Sequence, residues 1–317
     1  MREARPPISG QADPSLDGPP LSGQPQGRWD WWMSLADYWT LTKPEVNFLV
    51  VISTLAGFDL AWRGAMNWPL VLNTLLGTLL VASGTGTLNQ YLERRSDALM
   101  RRTARRPLPA GRMRPQMALT YGLLLALAGG GMLWAEVNPL ASVLALLTLA
   151  SYLLFYTPLK RRTPLCTLVG AFPGAMPPVI GWAAARGSLS AEAGFLYAIL
   201  FVWQFPHLLG IAWMYREDYS RAGLRMLPAE DLEGRFTARQ IMAFLLALLP
   251  LSLLPALTGQ TGRIYLVGAA VLGLYFLAYG LRWTRARTNR RARQLVLASI
   301  AYLPLVFGLM ILDKGRP

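Results

Sequence analysis

The chain has 317 residues, 53% of them hydrophobic and only 15% charged, with a mean hydropathy of +0.32. A soluble domain carries about a quarter of its residues as charges, so a soluble globular protein is excluded and the expected class is an all-α, polytopic membrane protein. The formal charge of +14 could serve nucleic acid, but it is concentrated in short loops between apolar runs, which assigns it to membrane topology.

Residues 1–30, rich in Pro, Gly, Ser and Gln, read as a disordered cytoplasmic tail, leaving residues 31–317 as one membrane domain. Glu3, Asp13 and Asp17 set this tail apart from an acid-poor transit peptide, which favours a bacterial cytoplasmic membrane. Residues 29–42 are aromatic and amphipathic and predict a segment lying at the interface. Nine spans follow from apolar runs of bilayer length, at 46–62, 70–92, 117–134, 139–156, 165–185, 193–214, 241–257, 265–283 and 295–312. With the N-terminus inside, 26 of the 31 Lys and Arg residues fall on the cytoplasmic face. An even number of spans would spoil that asymmetry.

The loop after the second span begins with residues 89–111, NQYLERRSDALMRRTARRPLPAG. Asn89, Glu93 and Asp97 stand four apart, so on a helix they drift only about 40° per step and share a face. Mg²⁺ takes oxygen ligands of this kind, one or two carboxylates together with substrate phosphates. The arginines behind them, Arg102 and Arg106 among them, can bind phosphate oxygens in pairs. Two readings stay open from spacing alone: a metal–diphosphate site, or a charged loop that only sets topology.

The loop after the sixth span, WMYREDYSRAGLRMLPAED, repeats the order of helix end, acids, arginines and Leu-Pro-Ala. Glu217 and Asp218 offer a second acidic cluster that either clamps another metal ion or pairs with Arg216 and Arg221. The faint echo suggests two related halves facing one site. Lys160, Arg161 and Arg162 form a short basic loop, readable as phosphate ligands or as a topological anchor. Pro173, Pro177 and Pro178, with Gly170, Gly174 and Gly181, must disturb the fifth span. They predict a broken helix lining a cavity, or close packing through small residues. His207, the single histidine, lies within the sixth span in WQFPH and is either a site residue or a satisfied core histidine. One histidine excludes a bis-histidine haem within one chain, and one cysteine, Cys166, excludes an internal disulfide.

The stretch at 89–111 resembles the first aspartate-rich motif of the UbiA superfamily of intramembrane prenyltransferases. Its form, Asn-x3-Glu-x3-Asp followed by Met-x-Arg-Thr-x2-Arg-Pro-Leu-Pro-x-Gly, is similar to the haem O synthase (protohaem IX farnesyltransferase) branch. YTPLKRRTP before GAMPPVIGW, then WQFPH, then REDYSRAGLRMLP agree in order, and the similarity covers about residues 35–312. The resemblance implies nine helices around a cavity open towards lipid, and farnesyl transfer from farnesyl diphosphate to a vinyl group of haem B. On this pattern Asn89, Glu93, Asp97 and Asp218 are catalytic and metal-binding, with Glu217 as a further ligand of Mg. Arg102, Arg106, Lys160 and His207 bind substrate. The implied partners are farnesyl diphosphate, haem B, the lipid bilayer and a haem A synthase, with no nucleic acid. The active-site loops face the cytoplasm. Two positions depart from the pattern: Ala222 stands where a second aspartate is usual, and Cys166 where asparagine is expected. A prenyltransferase with another acceptor and a non-catalytic haem carrier are the alternatives. The Asn-x3-Glu form and WQFPH argue against the first, and acids at metal-ligand spacing beside arginines against the second.

Overall fold

Apolar runs as long as a bilayer is thick become helices, because without water each backbone N–H and C=O must be satisfied inside its own segment. The computed structural model describes residues 31–315; the tail at 1–30 lies outside the described residues. A short helix α1 (Trp31–Leu41) precedes α2 (Pro44–Ala61), α3 (Trp68–Asp97), α4 (Pro115–Glu136) and α5 (Pro139–Leu159). The fifth span is made of α6 (Cys166–Gly174) and α7 (Pro177–Arg186). The sixth is α8 (Ala191–Met214), followed by the short α9 (Arg216–Arg221) and α10 (Leu227–Glu230). Helices α11 (Arg235–Leu257), α12 (Arg263–Arg285) and α13 (Asn289–Leu312) complete the chain. Among the described residues nine segments are long and apolar enough to cross a membrane, at the nine places expected. The protein is an all-α, multi-pass membrane protein. Leu127, Leu147, Val267 and Leu297 stay more than half exposed along these helices, a surface that water would not tolerate and lipid requires.

Several helices outrun their apolar runs. The second span was expected to end at 92 and continues to Asp97, while the seventh and ninth begin at Arg235 and Asn289 instead of 241 and 295. Arginines and glutamates are good helix formers, so the helix persists where their heads reach the water layer.

Two apolar clusters divide the bundle. One joins α2, α3, α4, α5 and α7 around Phe58, Val71, Leu133 and Ile180. The other is centred on α8, α11, α12 and α13, with Trp283, Phe276, Tyr302 and Phe307 fully buried. The break in the fifth span falls at Ala175 and Met176, between Pro173 and Pro177. Both sequence readings of that span hold, since Gly170, Pro173, Gly174 and Pro177 line a cavity while its second half packs tightly on α2. A Cβ at Gly181 would run into the Thr54 carbonyl, and one at Gly57 into the Pro178 carbonyl. Gly181→Ala is therefore expected to destabilise the protein by about 1–3 kcal/mol through overpacking. Thermal unfolding in detergent checks this, with Gly194→Ala, where a Cβ meets nothing within 4 Å, as the control.

Candidate active site

The end of α3 carries the centre of the site. Its apolar course stops at Leu88, and the following turns present Asn89, Glu93 and Asp97 on one face, as their spacing predicts. Each meets a basic side chain from another segment. Lys43 Nζ donates to Asn89 Oδ1 at 2.7 Å, Lys160 Nζ to Glu93 Oε1 at 2.7 Å, and Arg106 Nη1 to Asp97 Oδ2 at 2.8 Å. Asn89 and Asp97 are only 1% exposed, so these polar groups are set in a largely dry wall. The loop after α3 turns back onto it, with the buried Thr103 hydroxyl donating to the Asp97 carbonyl at 2.8 Å.

Burial opposes the charge on Lys160, but Glu93 overrides it and holds the ammonium well above its ordinary value. Lys43 goes the other way. Burial, and next the charge of Arg106, lower it to about 7, with Glu93 pulling back. Three cations close to one another around too little negative charge are what an incoming polyanion relieves.

Lys43 was not among the residues expected from sequence. It is the one non-glycine residue with positive φ among the described residues, at φ 54° and ψ 61°. Pro44 after it disfavours the right-handed region. Gln90 Nε2 donates to the carbonyls of Thr40 and Leu41, tying down the end of α1 and so the turn that aims Lys43 at Asn89. A signal for it existed. Only three lysines, Lys43, Lys160 and Lys314, stand among 31 basic residues, and in the structure each meets a specific acceptor. Lys314 serves stability, capping the end of α2 through the Trp62 carbonyl at 2.7 Å.

The other loops close over the same end. The backbone N–H of Arg225 donates to the Lys160 carbonyl at 2.7 Å, and Arg161 reaches Ser96 Oγ at 3.3 Å. Asp218 accepts the backbone N–H of Arg102 at 3.2 Å on one oxygen and Arg221 Nη2 at 2.8 Å on the other. Arg102 itself lies over Tyr215, 4.7 Å from the ring centroid, and donates to Tyr219. The five expected metal ligands are therefore not gathered into one cluster. Asn89, Glu93 and Asp97 form a string on α3, whereas Glu217 and Asp218 line a separate pocket of about 420 Å³ with Arg101, Arg102 and Arg221. Among the described residues no three His, Cys, Asp or Glu side chains meet, and Glu93, Asp97 and Asp218 each accept from a cation.

Next to the string lies a mainly apolar cavity of about 810 Å³, which Lys43 lines and Asn89, Glu93 and Asp97 do not. Lys43, Arg102, Tyr152 and Tyr156 mark its polar end; Ile180, Leu200, Trp203 and His207 line it further in. The last turns of α5 open into a π-helical segment, Tyr152–Tyr156, which brings both tyrosines to the cavity. Val46 and Phe48 of α2 and Ile300 of α13 line it while 56%, 63% and 41% exposed, so it opens sideways at the seam of these helices. In WQFPH, Trp203 donates to the Ser299 carbonyl, Gln204 to the Ala171 carbonyl, and His207 meets Ser299 Oγ at 2.7 Å. The motif thus fastens α8 to α6 and α13 around the cavity. Cys166, which departs from the expected asparagine, is buried with its sulfur 3.6 Å from that of Met226.

A family profile described as "UbiA prenyltransferase family" matches residues 50–303. A relative from Solibacter usitatus, named protoheme IX farnesyltransferase, is 52% identical over 289 residues, 88% of this chain and 99% of the relative. Among solved structures, one of digeranylgeranylglyceryl phosphate synthase superposes with a TM-score of 0.72 at 15% identity, covering 89% of this chain and 98% of its own. A UbiA homologue from Archaeoglobus fulgidus bound to DMAPP and Mg²⁺ superposes with a TM-score of 0.62 at 15% identity, covering 86% and 99%. At such identities the two structures speak for the fold alone.

Proposed function

The chain belongs to the UbiA prenyltransferase family, and from that premise we infer that it transfers the farnesyl group of farnesyl diphosphate to a vinyl group of haem B, giving haem O and diphosphate. The observation that carries this is the string of oxygen donors on α3, each facing a cation, of which Lys43 also marks the polar end of an apolar cavity. A diphosphate on a long hydrocarbon tail has the same division of charge.

Mg²⁺ fits the donors on α3. It takes one or two carboxylates and completes its shell with phosphate oxygens and water, so a three-acid cage is not required. Glu93 and Asp97, with Asn89 Oδ1, would hold it. Asp218 with Glu217 is the candidate for a second ion, which would have to displace Arg221. When bound, Mg²⁺ neutralises charge that grows on the diphosphate as its bond to the allylic carbon breaks. Lys43, Lys160, Arg102 and Arg106 stabilise that charge with donors set in place before the reaction. The apolar lining receives the farnesyl chain and keeps water from the allylic cation. The vinyl group forms the new carbon–carbon bond to that cation. Water adds to the remaining vinyl carbon with loss of a proton, leaving a hydroxyethyl group.

The lopsided basic loops support a cytoplasmic N-terminus and cytoplasmic active-site loops, in a bacterial inner membrane. A haem carrying a farnesyl tail suits transfer within the bilayer, which makes a haem A synthase the expected receiver. In lipid nanodiscs, diphosphate release from farnesyl diphosphate is expected only with haem B present, to stop with EDTA and to recover with Mg²⁺. Equal release with an aromatic acceptor in place of haem would overturn the choice of acceptor, and indifference to EDTA would overturn the metal.

A further inference from the structure

His207 takes no part in the diphosphate chemistry, yet its two ring nitrogens are sharply distinguished. Nδ1 lies 2.7 Å from Ser299 Oγ on α13. The single proton of that hydroxyl goes to the Val296 carbonyl at 2.6 Å. With that proton on the Val296 carbonyl, the hydroxyl accepts from His207 and Nδ1 carries the ring proton. This leaves Nε2 as a bare lone pair. It has no partner among the described residues and is not sealed in, and His207 lines the cavity.

The ring is also fixed in plane. Trp203, one turn earlier, stacks on it at 4.8 Å and 16°, and Trp203 is itself held by its indole N–H on the Ser299 carbonyl at 2.9 Å. Turning the imidazole over would break the Ser299 hydrogen bond. Metal-bound histidines are commonly held this way, with the other ring N–H given to a fixed acceptor that sets tautomer and orientation. The residues of α8 and α13 that line the cavity with His207 are mostly apolar, Leu200, Val296, Ile300 and Leu303 among them, with Gln204 the polar exception. Such a wall suits a flat apolar macrocycle whose one strong point of attachment is its central metal.

We propose that His207 Nε2 is an axial ligand of the iron of the acceptor haem, and that Ser299 is the residue that positions it. The proposal rests on haem B being the acceptor. Ligation places the Nε2 lone pair in an open axial position of the iron and transfers no electron. It would fix the distance of the haem from α8, and with it which edge of the porphyrin can reach the farnesyl carbon.

The test uses the full chain, made without a histidine tag, in nanodiscs with haem B and no farnesyl diphosphate. Since His207 is the only histidine, no other can supply the ligand. Resonance Raman spectra of the ferrous complex are expected to show an iron–histidine stretch. His207→Ala should lose it and regain an iron–imidazole band when free imidazole is added. Ser299→Ala should keep the band at a shifted frequency and bind haem about 10–100-fold more weakly. If His207→Ala fails to fold, the shift in Ser299→Ala carries the test. Haem bound with the same band in His207→Ala, or no such band in the wild type, overturns the ligation and leaves haem as acceptor. A wild-type chain that takes up no haem overturns both.

Discussion

Glu93→Gln is expected to lower the turnover of farnesyl transfer by about two to three orders of magnitude, the usual cost of removing one preorganised charge partner at a reacting centre. The amide keeps the shape of the side chain but removes a negative charge that faces two ways. It holds Lys160 at 2.7 Å, and it is a candidate ligand for Mg²⁺. The loss should appear in kcat at saturating substrates, with haem binding unchanged because Glu93 does not line the cavity. Lys160→Met should lose rate as well, and the double variant should lose much less than the two effects multiplied, since both remove one unit. A loss of under tenfold for Glu93→Gln, or simple multiplication in the double variant, would contradict a shared role.

Lys43→Met should weaken farnesyl diphosphate binding by roughly 10–100-fold, the worth of a charged hydrogen bond to phosphate. Lys43 is held in a left-handed conformation before a proline and is pressed by Arg106, so it is set to accept a polyanion. Calorimetric titration with a non-reacting farnesyl diphosphate analogue measures the effect. Gln90→Leu, which frees the turn without touching the charge, should give a smaller loss in the same assay. Unchanged affinity in Lys43→Met would place the diphosphate elsewhere.

The spans could be read from the sequence because the bilayer demands a fixed length of apolar helix, and the broken fifth span because proline lacks an N–H. The face shared by Asn89, Glu93 and Asp97 was readable for the same reason, being local helical geometry. Partners across the chain were not. Lys43 meets Asn89 across 46 residues, Lys160 meets Glu93 across 67, and Arg102 meets Asp218 across 116. These depend on how far one helix slides along another, which packing decides and residue spacing does not encode. Asp218 is divided between the two: pairing with Arg221, three residues on, was one of its two sequence readings, whereas its bond from the Arg102 backbone N–H was not readable. Ser299 carried no signal at all: a serine in an apolar span, 92 residues from His207, becomes meaningful only once α8 and α13 are packed.

The most direct measurement is the mass of the haem. Membranes bearing the chain are incubated with haem B, farnesyl diphosphate and Mg²⁺, and the extracted haems are separated and weighed. The expected product is heavier than haem B by one farnesyl group plus one hydroxyl group, is absent with EDTA, and forms at least about a hundredfold more slowly in Glu93→Gln. Haem B recovered unchanged while an aromatic acceptor gains the prenyl group would contradict the account.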